Sequence, residues 1–186
     1  MSASKRDELV QKALKVFYRE GFHATGMDKL VAETKISKTS MYKHFRTKED
    51  LILATLRLRD EQFRNNFVRR VEELATDPKG QLLAAFDALG EWFEDETFKS
   101  CMFIKASSEY QDPKHPIHAA AAEHKRLLAV YFEELATNAG LKNPEEVARQ
   151  LLILAEGAIV IAHLHGIEHA SADAKSTAAV LIKAAS

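Results

Sequence analysis

Residues 25–45, reading TGMDKLVAETKISKTSMYKHF, hold two short helical patterns separated by a turn of only a few residues. Such a pair reads as a helix-turn-helix. In the first half, Thr25 and Asp28 have the T-x-x-D spacing of a capping box, in which a side-chain oxygen takes up an amide left unpaired at a helix start. Leu30 and Val31 supply the apolar contacts of that helix. The pattern breaks at Lys35 and Ile36, and Ser37 offers an oxygen to cap a second helix from about Lys38 to Phe45. Met41 and Phe45, four apart, share its packing face. The opposite face carries Lys38, Thr39, Tyr42 and Lys43, with Ser40 and His44 at its flanks. A short helix projecting hydrogen-bonding groups from a supporting partner fits a major groove of double-stranded DNA.

Charge is distributed in keeping with that expectation. The whole chain has a formal net charge of -1, which points to no particular partner. Residues 1–48, however, hold eleven Lys and Arg against five Asp and Glu, a balance of +6, and the remainder carries -7. A basic head on an acidic body suits a protein that sets one end on phosphate and keeps the other off it.

The order of residues in this head resembles the TetR/AcrR family of bacterial transcriptional regulators. The family pattern is a T, then I-A, then A-G-V-S-x-G-x-x-Y-x-H-F, then K-x-x-L opening the next helix. Here Thr25 matches the T, Leu30 the I, Ile36 the V and Ser37 the capping serine. Tyr42, His44 and Phe45 match Y-x-H-F, and Lys48 and Leu51 match the last element. Three positions depart from the pattern: Thr34 stands for Ala, Thr39 for the second Gly, and Lys35 for the turn Gly. The resemblance implies that Lys38, Thr39, Ser40 and Lys43 meet base edges, with Tyr42 and His44 on phosphate. Thr25, Ser37 and Lys48 lie near helix N-termini, where amides and the helix dipole favour an anion, although plain capping is the alternative role. Lys35 completes the expected DNA-binding set. If the turn needs a left-handed residue, Lys35 costs about 1 kcal/mol more than Gly there.

The remainder divides into helices, giving an all-α fold of about nine. Ser4 and Asp7 form a capping box for the first helix, which Gly21 stops. Thr47 and Asp50 cap a fourth, running to Leu74, long enough at roughly 40 Å to join a head to a separate body. Later patterns run from Leu82 to Phe93, around Cys101–Tyr110, from Ile117 to Leu135, from Pro144, and from Ser171. The expected division is a helix-turn-helix domain at 1–47 and a helical sensing and pairing domain at 48–186. No apolar segment follows Met1–Ser4 as in a leader peptide, and no uninterrupted apolar run reaches the roughly 18 residues of a membrane span, so a cytoplasmic protein without membrane partners is expected.

Residues 151–164 are apolar on nearly every face, interrupted mainly by Glu156 and His163, so this helix must be covered on more than one side. Gly157 inside it costs roughly 1 kcal/mol against Ala, which close approach of another helix would offset. In the family the corresponding pair of helices packs against its twin as a four-helix bundle. The resemblance therefore implies a homodimer, with Leu151, Leu154, Gly157, Ala158 and Ile161 on one helix and Ala174, Ala178 and Leu181 on the last as interface candidates. A central helix buried within one subunit is the alternative. The resemblance also implies a small-molecule effector pocket in the middle helices, with Phe86, Trp92, Phe93, Met102, Phe103, Tyr110, His124 and Tyr131 as candidate lining. Ordinary core packing is the competing role for each, and for His124 a hydrogen-bonded core position. The implied mechanism is repression at a near-palindromic operator, relieved when effector tilts the fourth helix.

Other chemistry finds little support. His163 and His165 point to different helix faces, and neither a Cys pair nor a Glu joins them and His169 in a metal site. No glycine-rich phosphate loop or acid pair suggests catalysis, and no cofactor or metal is expected. The single Cys101 rules out an internal disulfide framework. It reads as a buried apolar residue, with a redox sensor or nucleophile as the alternative.

Overall fold

The computed structural model describes residues 4–186, so the reading of Met1 to Ala3 lies outside the described residues. Among these there are nine helices and no strand: α1 (Lys5–Glu20), α2 (Met27–Thr34), α3 (Lys38–His44), α4 (Lys48–Leu74), α5 (Pro78–Phe93), α6 (Met102–Glu109), α7 (Pro116–Asn138), α8 (Pro144–His165) and α9 (Ala170–Ala185).

Four helix starts follow from a local side-chain oxygen. Ser4 accepts from the Asp7 amide at 3.1 Å, Ser37 from the Ser40 amide at 3.2 Å, and Asp77 from the Gly80 amide at 2.9 Å ahead of Pro78. Thr47 and Asp50 cap α4 reciprocally, each accepting from the other's amide at 3.0–3.1 Å. The expected box at Thr25 and Asp28 does not form. Gly26 is the N-cap of α2 and no side chain caps it. Thr25 points backwards, donating its hydroxyl to the Gly21 carbonyl at 2.7 Å.

The turn between α2 and α3 hinges on Lys35, whose φ of 60° and ψ of 23° place it in the left-handed region. Its neighbour Thr34 braces this bend. The buried Thr34 hydroxyl donates to the Leu30 carbonyl at 2.7 Å and accepts from the Ile36 amide at 3.2 Å, a task an alanine could not perform.

Two compact units emerge. One runs to Gln62 and takes in Met102–His124; the other comprises Phe63–Cys101 and Lys125–Ser186. Both α4 and α7 supply residues to each. In the first unit Leu9, Phe17, Phe22, Leu30, Met41 and Ile52 are buried. In the second, α9 packs on α8 and α5, and Phe86, Leu151 and Ala178 of these helices are buried, as is Phe132 of α7. Helix α8 is long and apolar enough by composition to cross a membrane, although no uninterrupted apolar run suggested it. Its buried side faces α9 and α5, which accounts for part of that apolar character.

A direct consequence concerns Lys35. Replacing it by Gly removes the Cβ penalty of the left-handed turn, up to about 1 kcal/mol, partly offset by the greater freedom of unfolded Gly. Urea unfolding of Lys35→Gly is expected to give an unchanged or raised midpoint, and a clearly lowered midpoint would contradict the turn geometry.

Candidate nucleic-acid interface and associated sites

Helix α3 is divided as its pattern demands. Met41 and Phe45 are buried, while Lys38, Thr39, Tyr42, Lys43 and His44 are exposed and Ser40 is half-buried. Tyr42 is a large exposed aromatic. Ser37 is exposed and its hydroxyl oxygen caps the helix.

Not every cation in the basic head is free to meet phosphate. Arg19 pairs with Glu20 and Glu33, and Lys29 with Glu20 at 2.8 Å. Hydrogen bonds from Lys29 and then Arg19 hold the Glu20 carboxyl at about 2, well below the usual carboxylate range. Lys12 is shared between Glu8 and the Thr34 carbonyl. Lys38 has a weaker tie to Asp28 at 3.5 Å, both side chains being largely in solvent. Among the described residues of the head Lys5, Lys15, Lys35, Lys43 and Arg46 are exposed cations with no ion pair, the last three lying in or beside α3. Arg46 was not among the expected contacts. Its sequence signal was its place between the recognition pattern and the α4 cap.

Two of the expected phosphate contacts have their polar groups engaged within the chain. Thr25 is 0% exposed with its hydroxyl committed to Gly21, so its side chain is not at the surface. Lys48 is half-buried, and its ammonium donates to the carbonyls of Phe22 at 3.0 Å and Thr25 at 3.3 Å. Its charge therefore secures the α1–α2 loop. Both residues sit where the pattern requires them, but their polar groups serve the fold.

The effector candidates divide between the two units. In the first unit, Phe103 and His124 stack with ring centres 3.7 Å apart, and buried His124 Nδ1 lies 2.7 Å from Asp60 Oδ1. These three, with Leu53, Leu56 and Ala120, border a groove of about 410 Å³ whose lining also includes Arg57 and Glu123. Asp60 was missed because its partner lies 64 residues away. Met102 is buried in the same unit, whereas Tyr110 packs against the rings of Phe22, His23 and His115. Phe86, Trp92, Phe93 and Tyr131 belong to the second unit. There Trp92 meets Phe63, Phe93 and Phe98, so it does not line the groove beside His124. The Tyr131 hydroxyl is buried without a partner in the described residues, and burial, with Glu72 and Glu134 nearby, pushes it up to about 12. Cys101 is buried, with the Lys125 ammonium 3.3 Å from its sulfur and 2.6 Å from Glu156.

The pairing candidates also separate. Leu151, Ala158, Ala174 and Ala178 are buried within the second unit, so they have little surface left to give a partner. Leu154 and Leu181 are half-buried, while Gly157 and Ile161 are exposed. The apolar side chains left in solvent include Ile153 (70% exposed), Leu164 (65%) and Val180 (67%), which were not singled out by pattern. Nothing lies within 4 Å of a Cβ built on Gly157, so no helix of the same chain approaches it.

Residues 9–55 match the family described as bacterial regulatory proteins, tetR family. The chain is 27% identical over 158 residues to the HTH-type transcriptional regulator YjdC of Escherichia coli, covering 83% of this chain and 81% of that protein. Over 93 residues it is 32% identical to the HTH-type transcriptional activator FasR of Mycolicibacterium smegmatis, covering 50% of this chain and 42% of that protein. A TetR-family transcriptional regulator from Streptomyces coelicolor superposes with a TM-score of 0.90 at 28% identity, covering 97% of this chain and 95% of its own.

Lys48 provides a test of the two kinds of basic residue. Lys48→Ala removes charge-assisted bonds to two carbonyls and is expected to cost about 1.5–3 kcal/mol in urea unfolding. Lys43→Ala is expected to leave the midpoint within about 0.5 kcal/mol of the original. Equal midpoints for the two variants would remove the distinction.

Proposed function

We propose that the chain, similar in its head to the tetR family of bacterial regulatory proteins and along its length to TetR-type regulators, is a DNA-binding transcriptional regulator rather than an enzyme, acting as a homodimeric, effector-released repressor in the cytoplasm. The carrying observation is α3, which buries Met41 and Phe45 and leaves Lys38, Thr39, Tyr42 and Lys43 exposed. In this reading residues 1–47 form the DNA head. Lys38, Thr39, Ser40 and Lys43 read base edges, and Tyr42, His44, Lys35 and Arg46 take phosphate. Phosphate contacts set affinity and register, whereas base contacts specify.

Pairing through α8 and α9 accounts for an otherwise costly surface. Ile153, Gly157, Val160, Ile161 and Leu164 recur at helical spacing on α8 and are exposed, with Val180 exposed on α9. Burial in a symmetric interface is worth about 1.5–3 kcal/mol for each large side chain fully covered. A second copy also supplies the close approach that would offset Gly157. Two such heads would read half-sites about one DNA turn, roughly 34 Å, apart.

The effector reading rests on the groove beside Phe103 and His124, which joins an apolar floor to the polar groups of Arg57, Asp60 and Glu123. To release the operator, an effector must bind the DNA-competent and the released state with different affinities. Repression is the proposed sign of regulation.

Selection of bound duplexes from a random pool is expected to yield a near-palindrome. Ile161→Glu, which places a charge on the pairing face, is expected to sediment as a monomer and to lose the palindrome. A dimeric Ile161→Glu with unchanged selection would move the interface elsewhere, and absence of any enriched sequence would count against the operator reading.

A further inference from the structure

Two charged side chains of α6, four residues apart and therefore on one face, reach the end of α1 and the loop that follows it. Lys105 donates to the Tyr18 carbonyl at 3.1 Å, a cation placed on the unpaired carbonyls at a helix C-terminus. The Glu109 carboxylate accepts from the Phe22 amide at 2.9 and 3.1 Å and from the His23 amide. Its fit is close: a Cβ at Gly21 would lie 2.9 Å from Glu109 Oε1. Phe22 itself is fully buried, and its carbonyl is held by Lys48. The loop that leads into α2 thus depends on α6 for its amides and on α4 for its carbonyls.

The same short helix carries Phe103, two residues before Lys105, which stacks on His124 at the edge of the groove. Its two ends therefore serve two places. We propose that Glu109 is a positioning residue for DNA binding, holding residues 21–25 so that α2 and α3 keep the DNA-competent geometry, and that α6 links this hold to the groove. Glu109 touches no DNA in this reading. It acts through the Phe22 and His23 amides.

The inference rests on the DNA-binding reading above, and the sign of one effect separates the two. Glu109→Ala and Glu109→Gln each remove a negative charge that lies against the basic head, which by electrostatics alone tightens DNA binding. A positioning role demands the opposite. With the duplex selected by the wild-type chain, Glu109→Ala is expected to bind about tenfold more weakly, because the competent geometry is less populated. Glu109→Gln, which keeps one acceptor oxygen and nearly the same shape, is expected to fall between Ala and wild type. The slope of log affinity against log salt should stay unchanged in both, since no phosphate contact is lost.

Amide hydrogen exchange is expected to speed up at Phe22 and His23 in Glu109→Ala. Phe103→Leu should produce a smaller acceleration at the same two amides when Glu109 is present, and none further when it is Ala. Unchanged or tighter DNA binding by Glu109→Gln, in a chain whose circular dichroism and melting match the wild type, would overturn the positioning role. Exchange at Phe22 and His23 that ignores Phe103→Leu would overturn the link to the groove. If wild type selects no duplex, the DNA-binding reading fails on its own.

Discussion

The loop between α1 and α2 is the constraint on which the head depends. Phe22 is buried there between Phe17 and Tyr110, so its backbone amide and carbonyl lie away from bulk water and must find partners in the chain. They find Glu109 and Lys48, while the hydroxyl of Thr25 serves the carbonyl of Gly21. Each is a polar or charged group spent internally. The outcome is a fixed entry to α2, which then starts at Gly26 without a side-chain cap.

That internal use of charge redefines the basic head. Of its eleven cations, Lys12, Arg19, Lys29 and Lys48 are engaged with carboxylates or carbonyls of the chain, so the positive groups that face outward are fewer than that count. What remains beside α3 is a smaller set, Lys35, Lys43 and Arg46, flanking the hydroxyls of Thr39 and Tyr42. A modest cationic field around a hydrogen-bonding helix favours selection of sequence over indiscriminate adhesion. The engaged pairs meanwhile keep α1, α2 and the loop in one arrangement.

The helices were legible because their signals are local. Ser4, Ser37 and Thr47 each cap the helix their spacing announced, and Gly21 ends α1 with a φ of 86°. The left-handed turn at Lys35 was legible through the family pattern, although its compensation by Thr34 was not. Thr25 misled because T-x-x-D looks the same whether its hydroxyl points forward to a helix or back to Gly21. Lys48, Asp60 and Glu109 were opaque for another reason: their partners lie 23 to 87 residues away, and side-chain reach across the fold leaves no period in the sequence. On α8, an apolar pattern on all sides announced two burial surfaces without saying which belonged to the chain itself. Leu151 and Ala158 proved to be internal, leaving Ile153, Ile161 and Leu164 outside.

In the proposed reading, those outer residues and the outward face of α3 work together, with pairing setting the distance between two identical readers. Neither surface is sufficient alone, since one short helix contacts too few base pairs to specify an operator and a pair without readers binds no DNA. Sedimentation velocity of the chain with its selected duplex measures this joint claim most directly. Two chains per duplex, bound together and already paired without DNA, is the result this account predicts. One chain per duplex, with a monomer in free solution, would contradict it.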